Sequence, residues 1–298
     1  MLSHALSTRD ILSSLRLKCA NLLFVPPMSA ASISASLMSL PRGLARPYII
    51  ISASRLLSRL RLPVCYPLAV SEAIISIIIP ALDEEAGIEQ TLRAVHGREG
   101  TEVIVVDGGS RDNTAEKARE IAHMVITAPR GRAAQMNAGA HEARGGILFF
   151  LHADCLPPEG FPDLIRSVLG RPHVAAGAFD IRIDRSGLPY RLIERAANIR
   201  TRLTGVPYGD QGLFISRNNF DALGGFREMP IMEDIEIGRR LKRMGRVGFL
   251  RQPMLVSARR WLRDGLIRTT LLDWALAIAY TLLRVSPEKL SGYYRNVR

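Results

Sequence analysis

Three short apolar runs, each closed by polar or turn-forming residues and separated by segments of helical period, constrain the fold of this chain more than any other feature. They are Ile74-Ile75-Ser76-Ile77-Ile78-Ile79, ended by Pro80; Val103-Ile104-Val105-Val106, ended by Asp107-Gly108-Gly109; and Ile147-Leu148-Phe149-Phe150-Leu151. Continuous runs rich in β-branched residues fit strands buried on both faces. Between them lie Glu84 to His96, with Ile88, Leu92 and Val95 at helical spacing, then Asn113 to Ala122 and Ala133 to Ala143. The β-α-β-α alternation predicts an α/β fold with a mostly parallel sheet, right-handed crossovers and helices on its faces. Ligands of such sheets bind outside the carboxyl ends of the strands.

The three predicted strands end in polar residues at that edge: Asp83-Glu84-Glu85, Asp107, and His152-Ala153-Asp154. Each acid alone also fits a local role. Asp83, Glu84 and Glu85 complement a helix N-terminus, Asp107 before two glycines makes a turn, and Asp112 caps the helix near Asn113. Taken together, carboxylates clustered without Lys partners suit a divalent cation or a polyhydroxylated ligand.

Composition narrows the class. With 298 residues, 47% of them hydrophobic, the chain can bury a core without staples. Cys19, Cys65 and Cys155 form no C-x-x-C pair, which argues against a disulfide scaffold or a structural zinc finger. No clean apolar stretch reaches the roughly 18 residues of a spanning helix. The net charge is +12, and half of it lies in residues 1–72, where eight Lys and Arg face only Asp10 and Glu72. That Ser- and Arg-rich quarter reads as a leader, either transit-peptide-like or a disordered extension from an early start codon. Its dispersed arginines and few aromatics do not suit a nucleic-acid arm, so no nucleic-acid partner is expected.

Four motifs in order resemble family 2 glycosyltransferases of the GT-A fold. Ser76 to Glu85 resembles their opening strand, and Val105 to Thr114 their second strand and turn. Phe150 to Pro158 stands where their D-x-D motif belongs, and Met232 to Leu241 resembles the E-D helix. The resemblance runs from about residue 74 to about 285. Pro129 to Asn137 and Gly209-Asp210-Gln211 are further similar to a bacterial-type subgroup that includes radical-SAM- and selenodomain-associated transferases, some named for carotenoid or other lipid acceptors.

The resemblance implies an inverting transferase that moves a sugar from a nucleotide diphosphate to an acceptor hydroxyl. It implies Asp154 as a ligand of a divalent metal, Mn²⁺ or Mg²⁺, with His152 in the place of the first acid of D-x-D. His152 thus either ligates the metal, hydrogen-bonds a phosphate or packs at the strand end. Asp107 matches the acid that accepts from the nucleobase or ribose, with Pro80, Ala81 and Glu85 in the same pocket and Arg132 contacting base or phosphate. Asp234, in Glu233-Asp234, matches the catalytic base. The alternative for Glu233 and Asp234 is a plain acidic helix start. Asp210 and Gln211 are expected at the donor sugar or acceptor. Arg259-Arg260-Trp261 resembles the Q-x-x-R-W motif of processive members, but Ser257 holds the Gln position, so polymer synthesis is not implied. Trp261 either stacks on an acceptor or belongs to the core.

These readings divide the chain into a leader (1–72), a GT-A domain (73–260) and a C-terminal helical segment (261–298). In the last, Leu271 to Leu283 is apolar apart from Asp273, contains Trp274 and Tyr280, and is flanked by Arg263, Arg268 and Arg284. It fits either an interfacial helix in peripheral membrane contact or a helix docked on the domain. The expected location is cytoplasmic or peripheral to a membrane, and organellar if the leader is a transit peptide. A nucleotidyltransferase is disfavoured because no Gly-rich loop with a Lys follows the first strand. The alternative outside catalysis is a silent nucleotide-sugar-binding or membrane-associated scaffold.

Overall fold

The computed structural model describes residues 73–293; the predicted leader lies outside them. The first half runs β1 (Ile75–Ala81), α1 (Ile88–Val95), β2 (Thr101–Asp107), α2 (Thr114–Arg119), β3 (Met124–Thr127), α3 (Arg132–Glu142), β4 (Ile147–Phe150), β5 (Cys155–Leu156) and α4 (Phe161–Leu169). Then come β6 (Val174–Ile183), α5 (Leu188–Thr204), a 3₁₀ turn (Gly209–Gln211), β7 (Leu213–Ser216), α6 (Arg217–Leu223) and α7 (Glu233–Met244). The chain continues through β8 (Arg246–Val256), α8 (Arg259–Asp264), α9 (Leu266–Thr281) and α10 (Pro287–Ser291). The strands form one sheet in the order β3-β2-β1-β4-β7-β6-β8-β5. β1 to β4 are parallel, β7 runs antiparallel to both β4 and β6, and β8 runs parallel to β6.

The continuous apolar runs are explained by cover on both faces. Ile75, Ile77, Ile79, Val103, Val105 and Phe149 point to the side of α1 and α4, where they meet Leu92, Phe161 and Ile165. Ile78, Ile104, Val106, Leu148 and Phe150 point to the other side, against Met136 and Ala140 of α3 and Ile237 and Leu241 of α7. A period of two that is apolar at both parities requires two covered faces. α3 lies tight on the sheet because Gly139 has no side chain: a Cβ there would stand 2.5 Å from Ile78 Cγ2.

Two boundaries differ from the sequence reading. β1 does not stop at Pro80 but runs to Ala81, which stands opposite Asp107. β4 pairs with β1 only as far as Ile78, and Leu151 N–H donates to Ile78 C=O. Pro80 faces the same side beyond that pairing, so its missing N–H costs no ladder bond. The helix expected from Glu84 begins at Ile88, because Thr114 Oγ1 accepts the Glu84 N–H at 2.7 Å and Asp112 Oδ2 that of Glu85 at 3.1 Å. Among the described residues no helix is long and apolar enough to cross a membrane.

Candidate active site at the carboxyl ends of the strands

The loops after β1 and β2 are laced together by their acids. Asp83 Oδ1 accepts Arg111 N–H at 2.9 Å, and Glu85 Oε2 accepts Asn113 N–H at 3.0 Å. Lys117 donates to Glu85 C=O at 2.9 Å. Asp107, at the end of β2, accepts Gly109 N–H at 3.0 Å and the Ser110 hydroxyl at 2.5 Å. Pro80 and Ala81 lie beside it across the strand pair. Beneath both strand ends sits Gln135, fully buried, whose amide donates to Ala81 C=O at 2.9 Å and to Val106 C=O at 2.8 Å.

After β4, His152, Asp154 and Cys155 bring one ligand atom each within 4.8 Å of one another. Burial, with Arg132 adding to it, lowers the His152 pKa to about 4 against the opposing pull of Asp154 and Asp234, so the imidazole is neutral at pH 7. Burial pushes the Cys155 thiol well up, and Asp154 and Asp210 add to the shift. Without a cation beside it, Cys155 is therefore a buried thiol. Arg259 of α8 reaches this corner, 2.5 Å from Glu84 and 3.8 Å from Asp154.

The third group surrounds the N-terminus of α7. Asp234 Oδ1 accepts the Ile235 N–H at 2.7 Å, and Oδ2 accepts the Gly209 N–H at 2.8 Å. Gly209 sits between two candidate residues: a Cβ there would stand 2.6 Å from His152 Nε2 and 3.6 Å from Asp234 Oδ2. His152, Glu233 and Asp234 line one small pocket with Phe150, Tyr208 and Phe226. Glu233 is 2% exposed; Arg132 Nε pairs with its Oε1 at 2.7 Å, while its Oε2 is buried with no hydrogen-bond partner. Burial raises the Glu233 pKa in spite of Arg132. Asp210 Oδ1 is likewise buried without a partner, and burial lifts this carboxyl to about 6, with nearby Arg200 pulling it down.

Gln211 is fully buried, and its amide is engaged within the protein. It accepts from Thr201 Oγ1 at 2.9 Å and Tyr208 N–H at 3.0 Å, and donates to Phe179 C=O at 3.2 Å. Trp261 packs on the core beside β8, and its indole N–H donates to Thr270 Oγ1 at 3.2 Å. Asp273, the one acid in the apolar C-terminal stretch, pairs with Arg260 at 2.5 Å.

Asp107 at the end of β2, His152 and Asp154 after β4, Asp210 on the 3₁₀ turn and Asp234 at the start of α7 thus gather on one edge. The sequence did not single out Gln135, nor the pairing of Glu84 with Arg259. Gln135 reads locally as one more polar helix residue, and Arg259 meets Glu84 across 175 positions.

Residues 76–229, about half of the chain, match the family model described as Glycosyl transferase family 2. An undecaprenyl-phosphate 4-deoxy-4-formamido-L-arabinose transferase from Pseudomonas paraeruginosa is 30% identical over 159 residues, 48% of this chain and 46% of that protein. The probable glycosyltransferase YdaM of Bacillus subtilis is 25% identical over 57% of this chain and 47% of its own. The chain spans about half the length of these curated relatives. In fold it is similar to the mannosyltransferase PcManGT from Pyrobaculum calidifontis, solved with GDP-Man and Mn²⁺, at a TM-score of 0.51 and 21% identity, over 70% of this chain and 63% of that one. S. aureus TarS 1-349 follows at 0.50 and 17%, over 67% and 66%. The sheet order, the helices on both faces and the matched residues lead to one conclusion: the chain belongs to glycosyl transferase family 2 and has the GT-A fold.

Proposed function

We propose that this protein is an inverting glycosyltransferase that moves a sugar from a nucleotide diphosphate to a hydroxyl of a lipid-like acceptor, the phosphate hydroxyl of a lipid phosphate included. The observation that carries the reading is the position of Asp234. Its carboxylate is fixed by the Gly209 and Ile235 amides at the mouth of the pocket shared with His152. In the step proposed, the acceptor oxygen bonds to the anomeric carbon as the bond to the diphosphate breaks. The diphosphate leaves with the electron pair, and the acceptor proton passes to Asp234. Asp107, with Pro80, Ala81 and Glu85, holds the nucleoside. Arg132 pairs with Glu233 and holds it in place beside the base. Asp210 meets the sugar or acceptor, and Gln211 holds the loop on which Asp210 sits. Trp261 contributes by anchoring α8 to α9.

A divalent cation suits the donor set at β4. Asp154 offers a carboxylate oxygen and His152 a neutral imidazole, whereas the soft sulfur of Cys155 suits a hard cation least. Mn²⁺ accepts such a mixed set more readily than Mg²⁺, which prefers oxygen ligands, and either would, when bound, neutralise charge on the leaving diphosphate. The relatives named for undecaprenyl phosphate support a lipid-phosphate acceptor and peripheral membrane contact. Pro129 to Asn137 and Gly209 to Gln211 support the radical-SAM- and selenodomain-associated subgroup. The same reading divides the chain into a leader (1–72), a catalytic domain (73–260) and a C-terminal helical segment.

A silent nucleotide-sugar-binding protein is favoured by one observation: each Asp234 oxygen already accepts a backbone N–H, which makes the carboxylate a weaker base. The deciding experiment incubates the protein with GDP- and UDP-sugars and Mn²⁺, with and without a polyprenyl phosphate, and follows nucleoside diphosphate release and sugar transfer. Acceptor-stimulated release with transfer is expected. Tight donor binding without release supports the silent reading, and no donor binding overturns both.

A further inference from the structure

The large apolar side chains that remain exposed are concentrated on two helices. α5 carries Leu188, Leu192, Ile199 and Leu203 on its outside, and α9 carries Ile267, Leu271, Trp274 and Ile278, followed by Leu282 just past its end. Leu203 is 81% and Ile267 71% exposed. The two series share one spacing. On α9 it is 267, 271, 274, 278, 282; on α5 it is 188, 192, 195, 199, 203, with the middle place taken by Arg195. Steps of four, three, four and four keep residues on one helix face. A soluble surface seldom leaves such stripes uncovered.

The charge around the stripes selects the occupant. Arg195, Arg268 and Arg284 are exposed, and neither helix shows an exposed acid. The Glu194 of α5 is buried and paired with Arg191 at 2.7 Å, and the Asp273 of α9 is spent on Arg260. Two copies of such a face would set arginine against arginine, whereas an anionic surface answers both the charge and the apolar side chains. Both helices also attach to the same loop. α5 leads through Gly205 into Tyr208 and the Gly209–Gln211 turn, and Ala277 and Tyr280 of α9 pack with Val206, Tyr208 and Ile235 behind that turn.

We infer that the outer faces of α5 and α9 form a two-helix platform that docks this protein on an anionic lipid bilayer, beside the loop that carries Asp210. The inference sharpens the proposed lipid-like acceptor, yet its test does not depend on turnover. The full chain is sedimented with phosphatidylglycerol-rich vesicles and with pure phosphatidylcholine vesicles, at low and high salt. Binding to the first, weakened by salt, is expected. Leu203→Asp on α5 and Trp274→Asp on α9 should each lower the partition coefficient about tenfold or more, since each trades a buried apolar side chain for a charge. Both positions are exposed, so melting temperatures should stay near the wild-type value; Leu192→Ser and Ile278→Ser, milder changes on the same faces, stand in for any variant that does not fold. Unchanged vesicle binding by both variants overturns the platform and assigns lipid affinity to another part of the chain. Loss in the α9 variant alone overturns the role of α5. A wild-type dimer that ignores vesicles and dissociates in either variant makes the surface a self-association face instead. Vesicle binding without donor turnover leaves the platform standing and removes the proposed reaction.

Discussion

The Gly209 amide donates to Asp234 Oδ2 at 2.8 Å, so the proposed base and the loop carrying Asp210 are one mechanical unit. Gly209 also stands against His152, where a Cβ would meet Nε2 at 2.6 Å. Three motifs that are separate in sequence meet at this one residue without a side chain. Replacing Asp234 with Asn leaves an oxygen for only one of the two amides, Gly209 or Ile235. Sugar transfer should fall by about 10² to 10⁴ while donor binding persists. Near-normal transfer, measured with saturating donor, would remove Asp234 from the role of base.

Arg132 and Glu233 form a pair in which only the acid is deeply buried. Arg132→Met strands that carboxylate, and chemical denaturation should show a loss of about 3 kcal/mol. Glu233→Gln should cost less, because a neutral amide in the same space leaves no buried charge. An Arg132→Met protein as stable as wild type would mean that the pair contributes nothing to the fold.

Gln135 ties the carboxyl ends of β1 and β2 through two carbonyls. Gln135→Ala should destabilise the protein by about 1 to 2 kcal/mol, as the two strand-end carbonyls lose the amide they share, although Ala81 C=O keeps the Gly108 N–H at 2.9 Å. It should also weaken nucleotide binding, because Asp107 sits on one of the two strand ends. Calorimetry with a nucleoside diphosphate tests the second part; unaltered affinity would confine Gln135 to stability.

Asp210 and His152 should give opposite pH signatures. The Asp210 pKa is raised from 3.8 to about 6, so its contribution is intact below about pH 4 and is lost as pH rises through 6. Asp210→Asn should therefore gain on wild type between pH 4 and pH 6, by about 2 to 3 kcal/mol in all. The His152 pKa is lowered from 6.5 to about 4, so stability is present above 6.5 and is lost as pH falls through that window. His152→Gln should gain on wild type as pH is lowered. Parallel urea titrations of the three proteins across this range supply the measurement, and a flat difference curve would contradict the burial of the corresponding group.

Asp154→Asn should weaken nucleotide binding mainly when Mn²⁺ is present, whereas Cys155→Ser should leave the metal response unchanged because Mn²⁺ prefers oxygen and nitrogen donors to sulfur. Nucleotide calorimetry with Mn²⁺ and with a chelator distinguishes the two. A Cys155→Ser protein that loses its Mn²⁺ response would place the sulfur among the ligands.

Much of the fold was legible before any coordinates. The runs at Ile74, Val103 and Ile147 are apolar at both parities, and only a sheet covered on both sides satisfies that pattern. The placement of Asp107, Asp154 and Asp234 at strand ends and a helix start was legible because those are local features with local signatures, whereas their roles came only from the family resemblance. Pro80 misled, since a missing N–H matters only where a neighbouring strand needs it, and β4 had already ended.

What the sequence by itself determined is therefore the alternation of elements, the edge on which polar residues gather and the family. What only the tertiary structure decided is which polar side chains face the pocket and which are consumed by the fold. Glu84 pairs with Arg259 across 175 positions, Gln211 binds Thr201, Tyr208 and Phe179, and Asp273 is neutralised by Arg260. The apolar pattern is set by each residue's own transfer from water, so it can be read along the chain. A polar side chain's role depends on which partner reaches it, and those partners come from strands and helices that only folding brings together.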